Sequence, residues 1–272
     1  MTNASSPTRL ALVALVLVVF LLPPVWLFLS ALKPQAEIFQ WPPTLWPANP
    51  TLENFVNTIS RAKFLLFFKN SAIVSVLSAF LSVTISVMAG YALAKFRFKG
   101  DTIFFLLIMS SLMVPLQIIM IPVFLVLRDL GLLETLAGVI IAPAATPTGV
   151  FLMRQYIVNI PDSLLEAARL DKTPEWRILW RIVVPLSLPA IGTLLAFNLV
   201  WRWNDYLWPF LIITDQDQWT VQLAIANSIG RFGIDWPKLL SMSVLSVLPV
   251  LVVFTALQRL MMGGIMAGAT KE

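Results

Sequence analysis

The sequence contains no cysteine and no histidine. These two absences exclude thiol nucleophiles, Cys or His metal sites, and every Ser-His-Asp or Cys-His catalytic arrangement. No stretch of the sequence matches GxxxxGK[ST], so a P-loop for nucleotide hydrolysis is missing as well. We therefore expect a chain that is not an enzyme, with no catalytic residue and no metal site.

Charged residues are also scarce, at 12% of the 272 residues, which is about half their share in an ordinary soluble domain. Hydrophobic residues account for 58%, and the mean hydropathy is +0.85. The 19 Lys and Arg with 14 Asp and Glu are too few to cover a 30.3 kDa protein in water. This composition excludes a soluble enzyme, a disordered chain and a disulfide scaffold, and it indicates a membrane protein.

The charges that remain border six long uncharged runs, each of 19 to 26 residues. Roughly 20 apolar residues of helix cross a bilayer core about 30 Å thick, because a helix satisfies its own backbone hydrogen bonds. We therefore predict one transmembrane domain over residues 1–272, an all-α integral membrane protein with six transmembrane helices. The predicted helices cover approximately residues 10–32, 70–94, 102–127, 135–153, 182–213 and 239–258.

Lys and Arg also predict the orientation of these helices. With a cytoplasmic N-terminus, the inner segments hold 11 basic residues in 58 positions and the outer segments hold 8 in 81. This modest bias follows the tendency of cytoplasmic loops to be positive, and it predicts a multi-pass protein of the inner or plasma membrane with cytoplasmic N- and C-termini. Because the basic residues border hydrophobic runs, the net charge of +5 does not indicate a nucleic-acid partner.

The loop between the fourth and fifth predicted helices has a pattern of its own. Ser163 and Glu166 have the spacing of a capping box, which predicts a short helix beginning near Ser163. Leu164, Ala167, Ala168 and Asp171 then share one face of that helix. Thr173 is predicted to cap a second helix, with Pro174 at its first position. From the pattern alone, an amphipathic connector lying on the membrane explains this loop equally well.

This loop resembles the EAA motif of ABC importer permeases, which reads EAAxxDG followed by IxLPxxxP. The matching residues are Glu166-Ala167-Ala168-Arg169-Leu170-Asp171 and the run from Ile182 through Pro185 to Pro189. Lys172 stands where the family has its glycine. If that position has a positive φ, lysine is less favourable there by about 1 kcal/mol.

Three further segments resemble one branch of that family, the carbohydrate importers related to the maltose permease pair. They are GYALAKFRFKG at residues 90–100, WNDYLWP at 203–209 and GIMAGATK at 264–271. The resemblance extends over nearly the whole chain and is strongest to the smaller, six-helix subunit of the pair.

The resemblance implies a type I ABC importer permease fold with a cytoplasmic coupling helix in an EAA loop at 159–185. It also implies a second permease in a heterodimer, two ATPase subunits, an extracytoplasmic substrate-binding protein and surrounding lipid. No cofactor is expected on this chain, since ATP and Mg²⁺ bind the ATPase subunits. The residues expected to dock the ATPase are Ser163, Leu164, Glu166, Ala167, Ala168, Arg169, Leu170, Asp171 and Lys172.

The cargo implied by the resemblance is a di- or oligosaccharide or a related glycoside. A glycerophosphodiester or a polyol glycoside is the alternative, and an ion-coupled secondary transporter is the alternative from another class. Aromatic and polar side chains suit a sugar pathway, and the candidates are Trp203, Asn204, Asp205, Tyr206, Met109, Met113 and Gln117. Pairing of Asp205 with Arg202, within a belt of interfacial aromatic residues, is an equally good interpretation of that segment.

Overall fold

The computed structural model describes residues 7–230 and 233–269, and 75% of the chain is helical. The helices are α1 (Pro7–Ala31), α2 (Gln35–Ile38), α3 (Glu53–Arg61), α4 (Phe64–Lys95), α5 (Asp101–Ser111), α6 (Leu116–Asp129), α7 (Leu136–Ile141), α8 (Pro147–Val158), α9 (Asp162–Leu170), α10 (Glu175–Ile178), α11 (Val184–Leu186), α12 (Leu188–Trp203), α13 (Leu207–Ile212), α14 (Val221–Ala226) and α15 (Trp236–Ala269). A π-helical turn at Leu179–Val183 joins α10 to α11, and a 3₁₀ turn covers Gln216–Gln218. Strands β1 (Ile229–Gly230) and β2 (Gly233–Ile234) pair antiparallel.

Several of these helices are long and apolar enough to cross a membrane. Within the described residues, Thr8–Ala31, Phe64–Lys95 and Trp236–Gln258 qualify as single helices. Two bent pairs qualify if each pair is counted as one span, which gives three to five spans. A mostly helical membrane protein, as predicted from the sequence, is therefore confirmed.

The segment 102–127, predicted as one transmembrane helix, is a bent pair of helices in the structure. α5 ends at Ser111, α6 begins at Leu116, and their axes differ by 105°. Pro115 explains the break, because proline lacks a backbone N–H and keeps the residue before it out of the helical region.

The predicted helices over 135–153 and 182–213 are also interrupted. The first is divided into α7 and α8, and α8 begins with a proline at Pro147. The second turns by 82° at Ser187, just before α12, and stops again after Trp203. Runs without charge therefore located apolar sequence correctly but gave no information on where prolines interrupt the helix.

The chain divides into two compact units. The first contains the described residues up to Leu66 together with 224–248, and the second contains 67–223 and the described residues from 249 onward.

In the first unit, the segment after α1 is folded around two buried charges. Lys33 donates to the backbone and side-chain oxygens of Thr44, while the Glu37 carboxylate accepts from the backbone N–H of Ala48 at 2.7 Å.

The second unit has two apolar clusters. The α9 cluster joins α4, α8, α9, α10 and α12, and its buried members are Val83, Val87, Tyr91, Met153, Ile157, Ile160, Leu165, Ile178, Leu179, Val183, Ala190 and Leu194. The α13 cluster contains Val74, Leu127, Val139, Trp208, Ile212, Ile213 and Leu223. The first of these clusters supports the predicted docking loop.

Candidate functional site

The loop between α8 and α12 contains the predicted short helix as α9, but its predicted cap is wrong. The helix begins at Asp162, and Pro161 occupies the N-cap position, where no side chain among the described residues makes a capping hydrogen bond. Ser163 therefore lies inside the first turn. Proline fixes a φ compatible with helix entry, and the acidic Asp162 interacts favourably with the helix N-terminus, so the helix starts without a hydroxyl cap.

The second predicted cap in this loop is wrong as well. Pro174, not Thr173, occupies the N-cap position of α10, and the helix begins at Glu175. Thr173 instead donates its backbone N–H to the carbonyl oxygen of Ala168 at 3.0 Å. It therefore belongs to the end of α9, one element earlier than predicted.

The end of α9 forms a Schellman motif at the position where the family has glycine. The Thr173 bond to Ala168 is accompanied by one from the Lys172 N–H to the Arg169 carbonyl at 2.9 Å, which together are the two bonds of that motif. Lys172 has a φ of 55°. The condition considered from the sequence, a positive φ at this lysine, is therefore met.

One face of α9 packs inward and the other is open. Leu165 is 1% exposed and belongs to the α9 cluster, and Ala168 packs against that cluster. Of the predicted docking residues, those exposed are Ser163, Leu164, Glu166, Ala167, Arg169, Leu170, Asp171 and Lys172. Leu170 is 84% exposed. The predicted face is therefore open except at Ala168, which is half-buried.

Charged side chains at both ends of α9 are paired. Lys95 on α4 donates to the Asp162 carboxylate at 2.7 Å and to the Ile160 carbonyl at 2.6 Å. Its hydrogen bond holds the pKa of the exposed Asp162 carboxyl below the ordinary value. At the other end, the Arg169 Nε donates to the Glu175 Oε1 at 2.6 Å, which raises the pKa of Arg169.

The Glu175 carboxylate also accepts a hydrogen bond from the Tyr91 hydroxyl at 2.6 Å. The sequence interpretation missed Tyr91, Lys95 and Glu175, because the first two lie more than 60 residues from their partners. The only signal was that Tyr91 and Lys95 occur in the segment GYALAK, which resembles the carbohydrate-importer branch.

Beyond Glu175 the chain continues through α10, the π turn and α11 before it bends into α12. Two π-turn residues, Leu179 and Val183, are buried in the α9 cluster. Pro185 lies within α11 and Pro189 lies in the first turn of α12. The predicted docking loop is therefore joined to α12 by helical segments packed on the α9 cluster.

Of the predicted pathway residues 203–206, only Trp203 lies in a helix, and the other three lie in the break that follows it. Trp203 ends α12 and is buried, with its ring 5.3 Å from that of Phe68. Asp205 forms an ion pair with Arg202 at 3.2 Å, as the alternative interpretation predicted. Tyr206 stacks on Phe210 with 5.2 Å between the ring centroids.

Asn204 is the exposed member of this group. Its side-chain amide donates to the Val200 carbonyl at 2.9 Å, and its side-chain oxygen accepts from Gln222 at 3.2 Å. A neutral amide pair at the end of α12 suits hydrogen bonding to hydroxyl groups.

The remaining predicted pathway residues do not share one helical face. Met109 lies on α5, Met113 in the break and Gln117 on α6. The spacing of four residues would align them on a continuous helix, but the bend after Ser111 removes that alignment. Met113 and Gln117 are both exposed.

Comparisons with known proteins agree with this architecture. Residues 82–263, more than half of the chain, match the family described as "Binding-protein-dependent transport system inner membrane component". The arabinooligosaccharides transport system permease protein AraQ of Halalkalibacterium halodurans is 33% identical over 248 residues, covering 90% of this chain and 89% of AraQ. The sn-glycerol-3-phosphate transport system permease protein UgpE of Yersinia pestis is 32% identical over 247 residues, covering 88% of each chain.

A solved structure is similar over nearly the full length. It is the crystal structure of a bacterial ABC transporter involved in the import of the acidic polysaccharide alginate, and one of its chains matches with a TM-score of 0.80 and 25% identity. The match covers 95% of this chain and 98% of that chain. The family match includes α9 and the break at 203–206. The chain therefore belongs to the binding-protein-dependent transport system inner membrane components, the transmembrane permeases of ABC importers.

Proposed function

We propose that this permease forms one half of the translocation pathway of a sugar importer, with a second, different permease as the other half. Two ATPase subunits, which bind the ATP and Mg²⁺, dock on its cytoplasmic side, and a binding protein outside the membrane delivers the sugar. The chain crosses the membrane six times, with both termini in the cytoplasm. Each bent helix pair counts as one crossing, and α7 with α8 supplies the sixth.

The exposed face of α9 is the observation that carries this proposal. A nine-residue helix buries Leu165 and leaves Leu164 and Leu170 in the open. Two exposed leucines beside the small Ala167 make a surface that a concave partner can approach closely, and Glu166 and Asp171 offer carboxylates to basic groups. α9 is joined to α12 by helical segments, so a push on α9 is transmitted to a membrane helix as the movement of a lever.

A di- or oligosaccharide is the cargo best supported. AraQ carries arabinooligosaccharides by its name, and the solved structure belongs to an alginate importer. Asn204 and Tyr206, with Met109, Met113 and Gln117 on the bent pair, provide the mixture of amide, aromatic and thioether groups proposed to line the pathway. Trp203 and Asp205 support these residues, Trp203 by packing and Asp205 by its ion pair with Arg202.

A glycerol phosphate compound is the second candidate, since UgpE serves sn-glycerol-3-phosphate by its name. An anionic cargo needs a cation in the pathway, and Arg202 is already paired with Asp205. This segment therefore offers a phosphate group only a cation that is already paired, which favours a saccharide over glycerol phosphate. An ion-coupled mechanism would leave the open face of α9 without a role.

Copurification tests the docking of the ATPase. The chain is expressed with the second permease and ATPase genes that accompany it, and the ATPase retained per permease is measured. Glu166→Lys reverses a charge on the open face of α9 and should lower the retained ATPase severalfold. Glu53→Lys, a substitution of another exposed acid, on α3, serves as the control. Wild-type retention in Glu166→Lys would contradict the docking proposal.

The binding protein identifies the cargo. It is purified and titrated by calorimetry with arabinotriose, N,N′-diacetylchitobiose and sn-glycerol 3-phosphate. We expect binding of one of the two oligosaccharides. Binding of glycerol phosphate alone would favour the second candidate.

Single cysteines test the proposed orientation, because the chain contains no cysteine of its own. In intact cells an impermeant maleimide should label Trp41→Cys, which follows α1. It should label Lys99→Cys, between α4 and α5, only after the membrane is opened. The reverse pattern would contradict the proposed orientation.

A further inference from the structure

Two residues on the last turn of α4 hold the two ends of α9. Tyr91 and Lys95 are four residues apart, so their side chains lie on the same face of that helix. Lys95 reaches the start of α9, where it bonds Asp162 and the Ile160 carbonyl. Tyr91 reaches the end of α9 through Glu175, which is paired with Arg169. We call Tyr91, Lys95, Asp162, Arg169 and Glu175 the latch.

The latch is balanced in charge. Two cations, Lys95 and Arg169, face two carboxylates, Asp162 and Glu175. The Lys95 side chain is 4% exposed, so its ammonium group is held by the oxygens around it and is largely kept from water. Charge-assisted hydrogen bonds of this kind are about twice as strong as neutral ones.

Between the two ends, the apolar contacts are continuous. Leu165 in the middle of α9 is buried in the same cluster as Val87 and Tyr91 of α4. The Tyr91 ring also meets Phe96 edge-on, with 5.4 Å between centroids. The last turn of α4 and the whole of α9 are therefore fixed to each other by packing at the centre and by hydrogen bonds at both ends.

Glu175 connects this latch to the path toward α12. It is the first residue of α10, and it accepts from both Tyr91 and Arg169. A displacement of α9 consequently reaches two membrane helices, α12 through α10 and α4 through the latch. The proposed docking of the ATPase gives α9 only the first of these connections.

We propose that α4 is a second output of α9, and that Tyr91 and Lys95 are positioning residues that make ATPase closure move α4 together with α12. This inference rests on the docking of an ATPase on α9 proposed above. Because closure must move both helices, hydrolysis in the absence of the binding protein is held back by the latch. Without the latch contacts, α9 stays docked on the ATPase, but closure no longer has to move α4.

Basal ATP hydrolysis of the whole importer in nanodiscs, with ATP alone and no binding protein, tests the proposal. Lys95→Met keeps the apolar stem and removes the charge, and Tyr91→Phe keeps the ring and removes the hydroxyl. Each should raise basal hydrolysis per retained ATPase, and the double variant should raise it by about fivefold or more, the range of ordinary coupling between sites. Lys95→Arg keeps the positive charge and can donate to both the Asp162 carboxylate and the Ile160 carbonyl. It should therefore give the wild-type rate.

The controls separate positioning from folding. Arg97→Met lies two residues from Lys95, and its side chain is 87% exposed and paired with Asp101 at 3.7 Å. It should leave basal hydrolysis unchanged. A latch needed only for folding would lower both the retained ATPase and its hydrolysis, which is the opposite sign. That result, or unchanged hydrolysis in the double variant with normal ATPase retention, would overturn the inference. Absence of ATPase from the wild-type importer would instead overturn the docking proposal on which the inference depends.

Discussion

Helices α1 and α4 are both long and apolar, yet they have opposite surroundings. In the membrane-crossing window of α1 only 6% of the residues are buried within the described structure, against 44% in α4. α1 is built from large aliphatic residues, and its one serine, Ser30, lies in the last turn. α4 carries a row of buried serines, Ser71, Ser75, Ser78, Ser82 and Ser86.

Hydropathy does not measure how much of a membrane helix packs against other helices. Apolar content predicts that a helix crosses the membrane, but lipid is as apolar as leucine, so it does not predict which helix is packed on others. Small side chains do predict it, because they let helix backbones approach closely. α4 is therefore the more packed of the two helices, whereas the described residues leave most of the α1 window uncovered.

A matched pair of phenylalanines tests this comparison with the largest expected effect. Phe67 on α4 is 1% exposed and Phe20 on α1 is 75% exposed. Phe67→Ala should lower the free energy of unfolding by about 3–5 kcal/mol, because it removes a buried ring and leaves a cavity. Phe20→Ala should change it by about 0.5 kcal/mol or less. Unfolding by SDS titration in mixed micelles measures both, and equal losses would contradict the comparison.

A glycine of α4 provides a smaller effect of the same origin. A Cβ on Gly90 would lie 2.8 Å from the Cβ of Met153 and 2.9 Å from the backbone nitrogen of Arg154. Gly90→Ala should therefore lower the free energy of unfolding by about 1–3 kcal/mol, since α4 and α8 must move apart. Ala14→Val adds methyl groups to the exposed side of α1 and serves as the control. In the same SDS titration, an unchanged midpoint for Gly90→Ala would show that this contact is not close.

The sequence predicted the apolar segments well and their continuity poorly. Uncharged runs predicted the positions of α1, α4 and α15, because charge is excluded from lipid whatever the helix does inside it. The same runs did not reveal the break at Pro115, since charge is a property of side chains and the break is caused by a missing backbone N–H.

The candidate site also contains features that depend on local sequence and features that depend on distant residues. The sequence raised a positive φ at Lys172 only as a condition, because the family has glycine there, and the structure has a φ of 55°. The latch was not predicted, because Lys95 and the Ile160 carbonyl are 65 residues apart, and local spacing rules extend over about one helical turn. Only the fold brings these groups together.

At Lys172 the opposite substitution to Gly90→Ala can be tested, because lysine stands where the family has glycine. Its φ of 55° is unfavourable for lysine by about 1–2 kcal/mol. Glycine would remove this cost, but it would also increase the conformational entropy of the unfolded chain, which offsets part of the gain in stability. Lys172→Gly should raise the free energy of unfolding by about 0.5–1 kcal/mol, whereas Gly90→Ala lowers it. Thermal unfolding followed by tryptophan fluorescence measures the shift. Lys172→Ala is the control, because it keeps the Cβ and should bring no such gain.

The serine row of α4 gives the smallest effect. The Ser82 hydroxyl lies 3.2 Å from that of Thr146, at the start of α8. A double-mutant cycle of Ser82→Ala and Thr146→Ala should give a coupling of about 0.6 kcal/mol, the average for hydrogen bonds between membrane helices. Ser110 on α5 bonds the Leu107 carbonyl of its own helix at 2.9 Å, so Ser110→Ala should show no coupling to Thr146→Ala. If both cycles gave the same value in SDS titration, the serines of α4 would contribute by their small size alone, and the contrast with α1 would be one of packing without hydrogen bonding.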